Sequence, residues 1–228
     1  MIDSEAHRAP QWLRVTGRMS RGLVPNTLWF WSVCLLLGAA AIWILQRFTD
    51  GPAFSIMSLL RYGLIWYPFS AALILVSLML GIHVAAGQTR RSFLIASLLS
   101  WAGYAIVNGL LLAAVIAIEG QVYDDYGWAH RSTSEGALPG LALSLGAYPL
   151  IVLAGAVSGL LVGLSYYRFG PWITLALPLT CAPAVLATAL VASPVPIAGI
   201  AVATTLAAGV AVLLGRRIPI RTTNPAWT

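Results

Sequence analysis

Residues 28–45 read LWFWSVCLLLGAAAIWIL, eighteen positions without a charge, opened by Trp29, Phe30 and Trp31 and closed by Gln46 and Arg47. As a helix this run covers ~27 Å at 1.5 Å per residue, just enough for a hydrocarbon core of ~30 Å. The three leading rings suit the headgroup level, where aromatic side chains anchor membrane helices. Five more apolar runs follow it: Tyr62 to Ala86, Ser92 to Ile118, Gly140 to Ser165, Pro171 to Val191 and Ile197 to Gly215. The second and third are long enough to tilt. Pro149 is expected to bend the fourth, and the fifth contains Pro178 and Pro183. In a membrane, neighbouring helices and local adjustment can satisfy the backbone groups a proline frees, so the expectation is six spans.

Composition agrees. Of 228 residues, 59% are hydrophobic and 9% charged, against about 25% charged in ordinary soluble domains; mean hydropathy is +0.85. All 13 basic residues are arginines. A Walker phosphate-binding loop needs a lysine to reach the phosphates, and Schiff-base chemistry needs one as a nucleophile; both are excluded, so any use of ATP must come through another chain. The arginine-only, Ala-, Gly- and Val-rich composition suggests a bacterial cytoplasmic membrane. Cys34 and Cys181 each lie inside an apolar run, where no disulfide framework is expected.

Arginines fix the expected orientation. Arg8, Arg14, Arg18, Arg21, Arg90, Arg91, Arg168, Arg216, Arg217 and Arg221 fall on one side of a six-span chain, and only Arg47, Arg61 and Arg131 on the other. The positive-inside rule therefore places both termini in the cytoplasm. Residues 1–27 form a cytoplasmic tail, 28–215 the membrane domain and 216–228 a second tail.

Within the first tail, Trp12, Val15, Met19 and Leu23 share a helical stripe, while Arg14, Arg18 and Arg21 occupy the opposite face, between Pro10 and Pro25. This predicts an amphipathic helix lying in the inner membrane surface, arginines toward anionic headgroups; the competing expectation is a solvated basic tail. The basic stretch is too long for a cleavable signal peptide.

Gly155, Gly159 and Gly163 stand four apart on one helical face, a pattern that lets another helix approach to backbone contact. It serves equally as a dimer seam or as packing inside the bundle. The spans are nearly empty of ionisable groups: Glu119 is at the outer end of the third, His83 near the inner end of the second, and Asn108 mid-third. A lone histidine at a helix end reads as a hydrogen-bonded residue rather than a relay. The outer segment carries Asp124, Asp125, His130 and Glu135 in no metal-ligand spacing; with Tyr123, Tyr126 and Trp128 interleaved it reads as a segment resting on the outer interface. No catalytic set or metal motif can be assembled and no cofactor is implied, so an enzyme is not expected.

The turn Gly87, Gln88, Thr89, Arg90, Arg91, followed by Ser92 and Phe93, resembles the Gly-x-Ser/Thr-Arg-Arg turn between the second and third helices of small type-2 ATP-binding-cassette permeases. The six-span plan, the amino-terminal amphipathic helix, and the Tyr-Arg-Phe-Gly step from Tyr167 to Gly170 also look like that family. The resemblance implies a transmembrane subunit that pairs with a second permease half and a cytoplasmic ATPase, exporting a peptide, lipid or hydrophobic drug. It further implies that Gly87 to Arg91 meets the ATPase. One departure is the tight link Ser193 to Pro196 where some members carry a longer element. The alternative from another class is a six-helix scaffold or regulatory subunit that binds a partner through its Gly-rich fourth helix; neither reading involves nucleic acid.

Overall fold

The computed structural model describes residues 10–49, 52, 55–128, 141–192 and 197–216, and among these there is no strand. The helices are α1 (Gln11–Phe48), α2 (Leu60–Ala85, led by a 3-10 turn Met57–Leu59), α3 (Arg90–Asp125), α4 (Leu141–Phe169), α5 (Leu177–Thr180, after a 3-10 stretch Gly170–Ala176), α6 (Ala182–Ala192) and α7 (Ile197–Arg216). Five helical stretches are long and apolar enough to cross a membrane: Gln11–Phe48, Met57–Ala85, Arg90–Asp125, Leu145–Leu190 and Ile197–Arg216. The described residues are all-helical, and the five long apolar helices make the chain a multi-pass membrane protein.

α4 is the axis of the bundle. Every residue from Ala154 to Ser165 is buried, as expected of a helix that is apolar all round, and α2, α3, α6 and α7 pack against it. The glycine face meets α2: a Cβ at Gly155 would fall on the carbonyl oxygen of Ile65, and one at Gly159 on that of Phe69. At Gly163 it would lie 3.0 Å from the Cβ of Val76. Of the two uses open to this face, the structure shows the intramolecular one. Gly109 of α3 plays the same part on the other side of α4, lying directly against the backbone of Pro149.

Two expectations change. The first is the separate interfacial helix, because α1 runs unbroken through Pro25 for 38 residues, a length of ~57 Å. A proline inside a helix removes one donor, and here the turn is retained, with the Thr27 hydroxyl donating to the Leu23 carbonyl at 3.0 Å. The stripe is partly covered by the bundle. Val15 is buried and Met19 and Leu23 pack on the core, while Trp12 stays 36% exposed.

The second is the fifth span, which is not one helix over 171–191 but a 3-10 stretch, a four-residue helix and an eleven-residue helix. Pro171, Pro178 and Pro183 each stand in the first turn of one piece, where a missing N–H costs nothing. The neighbours take up the freed groups. The Thr180 hydroxyl donates to the carbonyls of Ala176 and Leu177 at 3.2 Å each, and the Ala184 N–H donates to Ser158 Oγ of α4 at 3.1 Å.

Helix directions follow from the contacts. Gln11 meets Ser92, Ser20 meets Ser100 and Trp31 meets Asn108, so α1 climbs parallel to α3. Gly215 at the end of α7 lies against Leu94 near the start of α3. The beginning of α1, the α2–α3 turn and the end of α7 therefore share one end of the bundle. Residues 217–228, the expected second tail, lie outside the described residues.

Candidate functional site

The shared end is built around the α2–α3 turn. α2 closes on Gly87, whose φ of +73° is the left-handed conformation glycine adopts freely. Its N–H donates to the Val84 carbonyl and that of Gln88 to the His83 carbonyl, both at 3.0 Å, the paired pattern of a Schellman helix end. Two residues later Thr89 caps α3, its Oγ1 accepting the Ser92 N–H at 3.1 Å. Four residues, Ala86 to Thr89, thus reverse the chain, with both helix ends satisfied. The His83 ring stands edge-on to Phe93 at 5.1 Å, tying the two helices side by side.

The turn is also joined to α1. Ser92 Oγ donates to Gln11 Oε1 at 3.1 Å, and further along Ser100 Oγ donates to the Thr16 carbonyl at 3.3 Å. α1 and α3 are joined again by the indole of Trp31, which donates to Asn108 Oδ1 at 2.8 Å. Asn108 donates in turn to the Tyr104 carbonyl at 2.9 Å. Arg91 is exposed and Arg90 half-buried, while Gln88 Oε1 is buried with no partner among the described residues.

Charge is segregated between the two ends. Arg14, Arg18, Arg21, Arg90, Arg91, Arg168 and Arg216 lie toward the shared end, whereas the described carboxylates, Glu119, Asp124 and Asp125, belong to the far end of α3. Arg168 lies over the ring of Phe169 at 5.0 Å, and Gly170, with φ +64°, ends α4 there. His130 and Glu135, which with Asp124 and Asp125 made up the acidic outer segment, lie outside the described residues.

The far end holds a cluster that the sequence did not announce. Glu119 is buried, 5% exposed. Its Oε1 accepts the N–H groups of Ile56 and Met57 at 2.9 and 3.0 Å, and its Oε2 accepts the Ser55 hydroxyl. The Ser55 hydroxyl also accepts the Ser58 N–H at 3.1 Å. A carboxylate placed at the first N–H groups of a helical segment is favoured by their dipoles. Arg61, expected on the outer side just before the second span, is buried in the first turn of α2 with its guanidinium 5.4 Å from the Tyr148 ring. The only signal for this cluster was an isolated Glu closing a long apolar run, because its partners lie over sixty residues away in sequence.

These features define a helical membrane protein with an arginine-rich end organised by hydrogen bonds and an opposite end locked by a buried carboxylate. Comparison with protein-family models, with curated proteins and with solved structures finds no match.

Proposed function

We propose that the chain is the transmembrane permease subunit of an ATP-driven exporter of the type-2 ATP-binding-cassette kind, moving a peptide, lipid or hydrophobic drug across a bacterial cytoplasmic membrane. A separate ATPase supplies hydrolysis, and a second permease half completes the pathway. In this reading the arginine-rich end is cytoplasmic, Gly170–Ala192 makes the fifth of six crossings, and Gly87 to Arg91 docks the ATPase.

One observation carries the proposal. The turn is short, capped at both helix ends and bonded to the start of α1, so a push on Arg90 or Arg91 is delivered to α1, α2 and α3 together. A coupling element requires such stiffness, since a flexible loop would absorb the displacement. The exposed guanidinium of Arg91 suits an acidic surface on a partner. The scaffold alternative named the glycine face of α4 as its partner surface; α2 occupies that face within the same chain.

The test replaces Arg90 and Arg91 together by Gln, which removes charge and keeps hydrogen-bonding reach, with eight arginines left on that side to hold orientation. The double variant is expected to insert and keep its helices while losing copurifying ATPase or substrate-stimulated hydrolysis. Normal association together with normal coupled hydrolysis would remove this turn as the coupling element.

A further inference from the structure

A groove of about 590 Å³ runs between the first half of α1 and α2, with Ser100 and Trp101 of α3 as its back wall, a size within the ~300–1,000 Å³ of small-molecule sites. On α1 it extends from Val15 to Asn26, and on α2 from Tyr67 to His83, lengths of ~17 and ~24 Å at helical rise. It has a closed end and a charged end. It closes where Phe30 of α1 meets Tyr67 of α2 with ring centres 5.4 Å apart, at the level where Trp31 bonds to Asn108. From there it runs toward the arginine-rich end, past Ala71 and Leu75 to Arg18 and His83.

We propose that this groove holds one anionic phospholipid from the bilayer leaflet at the arginine-rich end, an acyl chain lying along Ala71 and Leu75 and the phosphate at Arg18. The lining is mainly apolar along the depth a chain would occupy. At the mouth Arg18 is exposed, Arg14 and Arg21 stand one turn to either side on the same helix, and guanidinium groups fit phosphate oxygens bidentately. No described carboxylate lines the groove, so the charge at the mouth is complementary to a headgroup anion. A transmembrane helix of a partner chain fits less well, because the Phe30–Tyr67 contact would stop it partway across the bilayer. The site does not depend on the exporter reading.

The test is native mass spectrometry of the detergent-purified full chain after incubation with phosphatidylglycerol or with phosphatidylcholine of the same acyl chains. The wild type should retain one phosphatidylglycerol in preference to phosphatidylcholine. Arg18→Gln should reduce that preference about fivefold, the worth of one arginine at an anionic lipid surface, without changing phosphatidylcholine retention. Ala71→Trp and Ser70→Trp each put a ring into the groove from α2 and should abolish retention of both lipids, with circular dichroism confirming that each variant keeps its helices. Unchanged retention in a helical Trp variant would overturn the site, as would equal retention of the two lipids by wild type and Arg18→Gln. Protection of a cysteine at Leu78 from maleimide only when a partner subunit is present would assign the groove to protein and overturn the lipid proposal.

Discussion

At one end of the helices seven arginines gather around a hydrogen-bonded turn without a described carboxylate beside them; at the other, Glu119 is buried and takes donors from Ser55, Ile56 and Met57. The two ends solve the same problem, closing a helical bundle, by opposite means. At the Glu119 end polar groups are spent on one another inside the protein, so that end is a lock. At the arginine end the backbone is satisfied internally, while the exposed cations are left to interact with lipid phosphates or with another protein.

The largest effect expected from this contrast is all-or-none. If the arginine-rich end is cytoplasmic, a single cysteine at Gln88, with Cys34 and Cys181 replaced, should resist an impermeant thiol reagent applied to intact cells. One at Asp125 should react. The reverse pattern would put ten arginines outside, overturn the orientation, and take the proposed ATPase contact with it.

Second is the lock itself. Glu119→Ala would leave the Ile56 and Met57 N–H groups and the Ser55 hydroxyl without their acceptor in a buried site, an expected loss of about 3 kcal/mol at ~1–3 kcal/mol per unsatisfied group after partial rearrangement. Glu119→Gln keeps an oxygen acceptor and should lose less. Thermal unfolding in detergent would rank the two. Equal, small losses in both would show that the carboxylate is incidental to the closure of that end.

How much of this was legible follows from the range of each interaction. The long apolar runs are read directly, because bilayer thickness imposes a length that any sequence must meet. The glycines of α4 announced a close approach, yet a stripe of small residues is the same whether its neighbour is in the same chain or another; only the fold shows that Ile65 and Phe69 fill it. The stripe Trp12, Val15, Met19 and Leu23 had two physically equivalent destinations, a membrane surface or a neighbouring helix, and Ser97 and Ser100 of α3 settle it for Met19 and its neighbours. Pro25 resembled a boundary because proline ends helices far more often than it is carried through them. Pro171, Pro178 and Pro183 were visible as a hazard to the fifth span; that they would divide it into three pieces depended on α4 providing Ser158 to the freed backbone. Glu119 was placed at the outer end of the third span and Arg61 on the outer side, but their burial was not legible, since their partners are brought together only by tertiary structure.

The smallest effect tests the join between the turn and α1, on which the stiffness of the arginine end depends. Ser92 has three contacts there: its N–H is accepted by the Thr89 cap, its hydroxyl stands 2.8 Å from the Thr89 hydroxyl, and that hydroxyl also donates to Gln11. Gln11→Ala removes the bond to α1 and leaves both Thr89 contacts of Ser92 in place, and alanine favours the helix. Hydrogen bonds between membrane helices average about 0.6 kcal/mol, so the thermal midpoint should barely move. Local opening of α1 is a more sensitive measure, because the bond is at the end of the helix, where the Ser20–Ser100, Thr16–Ser100 and Ser97–Met19 bonds and the packing of Val15 and Met19 remain to hold it. Hydrogen exchange of the amides from Val15 to Ser20 should accelerate about two- to threefold in the variant, the factor that corresponds to ~0.6 kcal/mol, while those of the first turns of α3 stay as they were. If exchange in α1 is unchanged, its start is held by apolar packing alone, and displacement of the turn need not move it. If α3 loosens as well, the Thr89 cap depends on Gln11, and the turn and the beginning of α1 form a single cooperative unit.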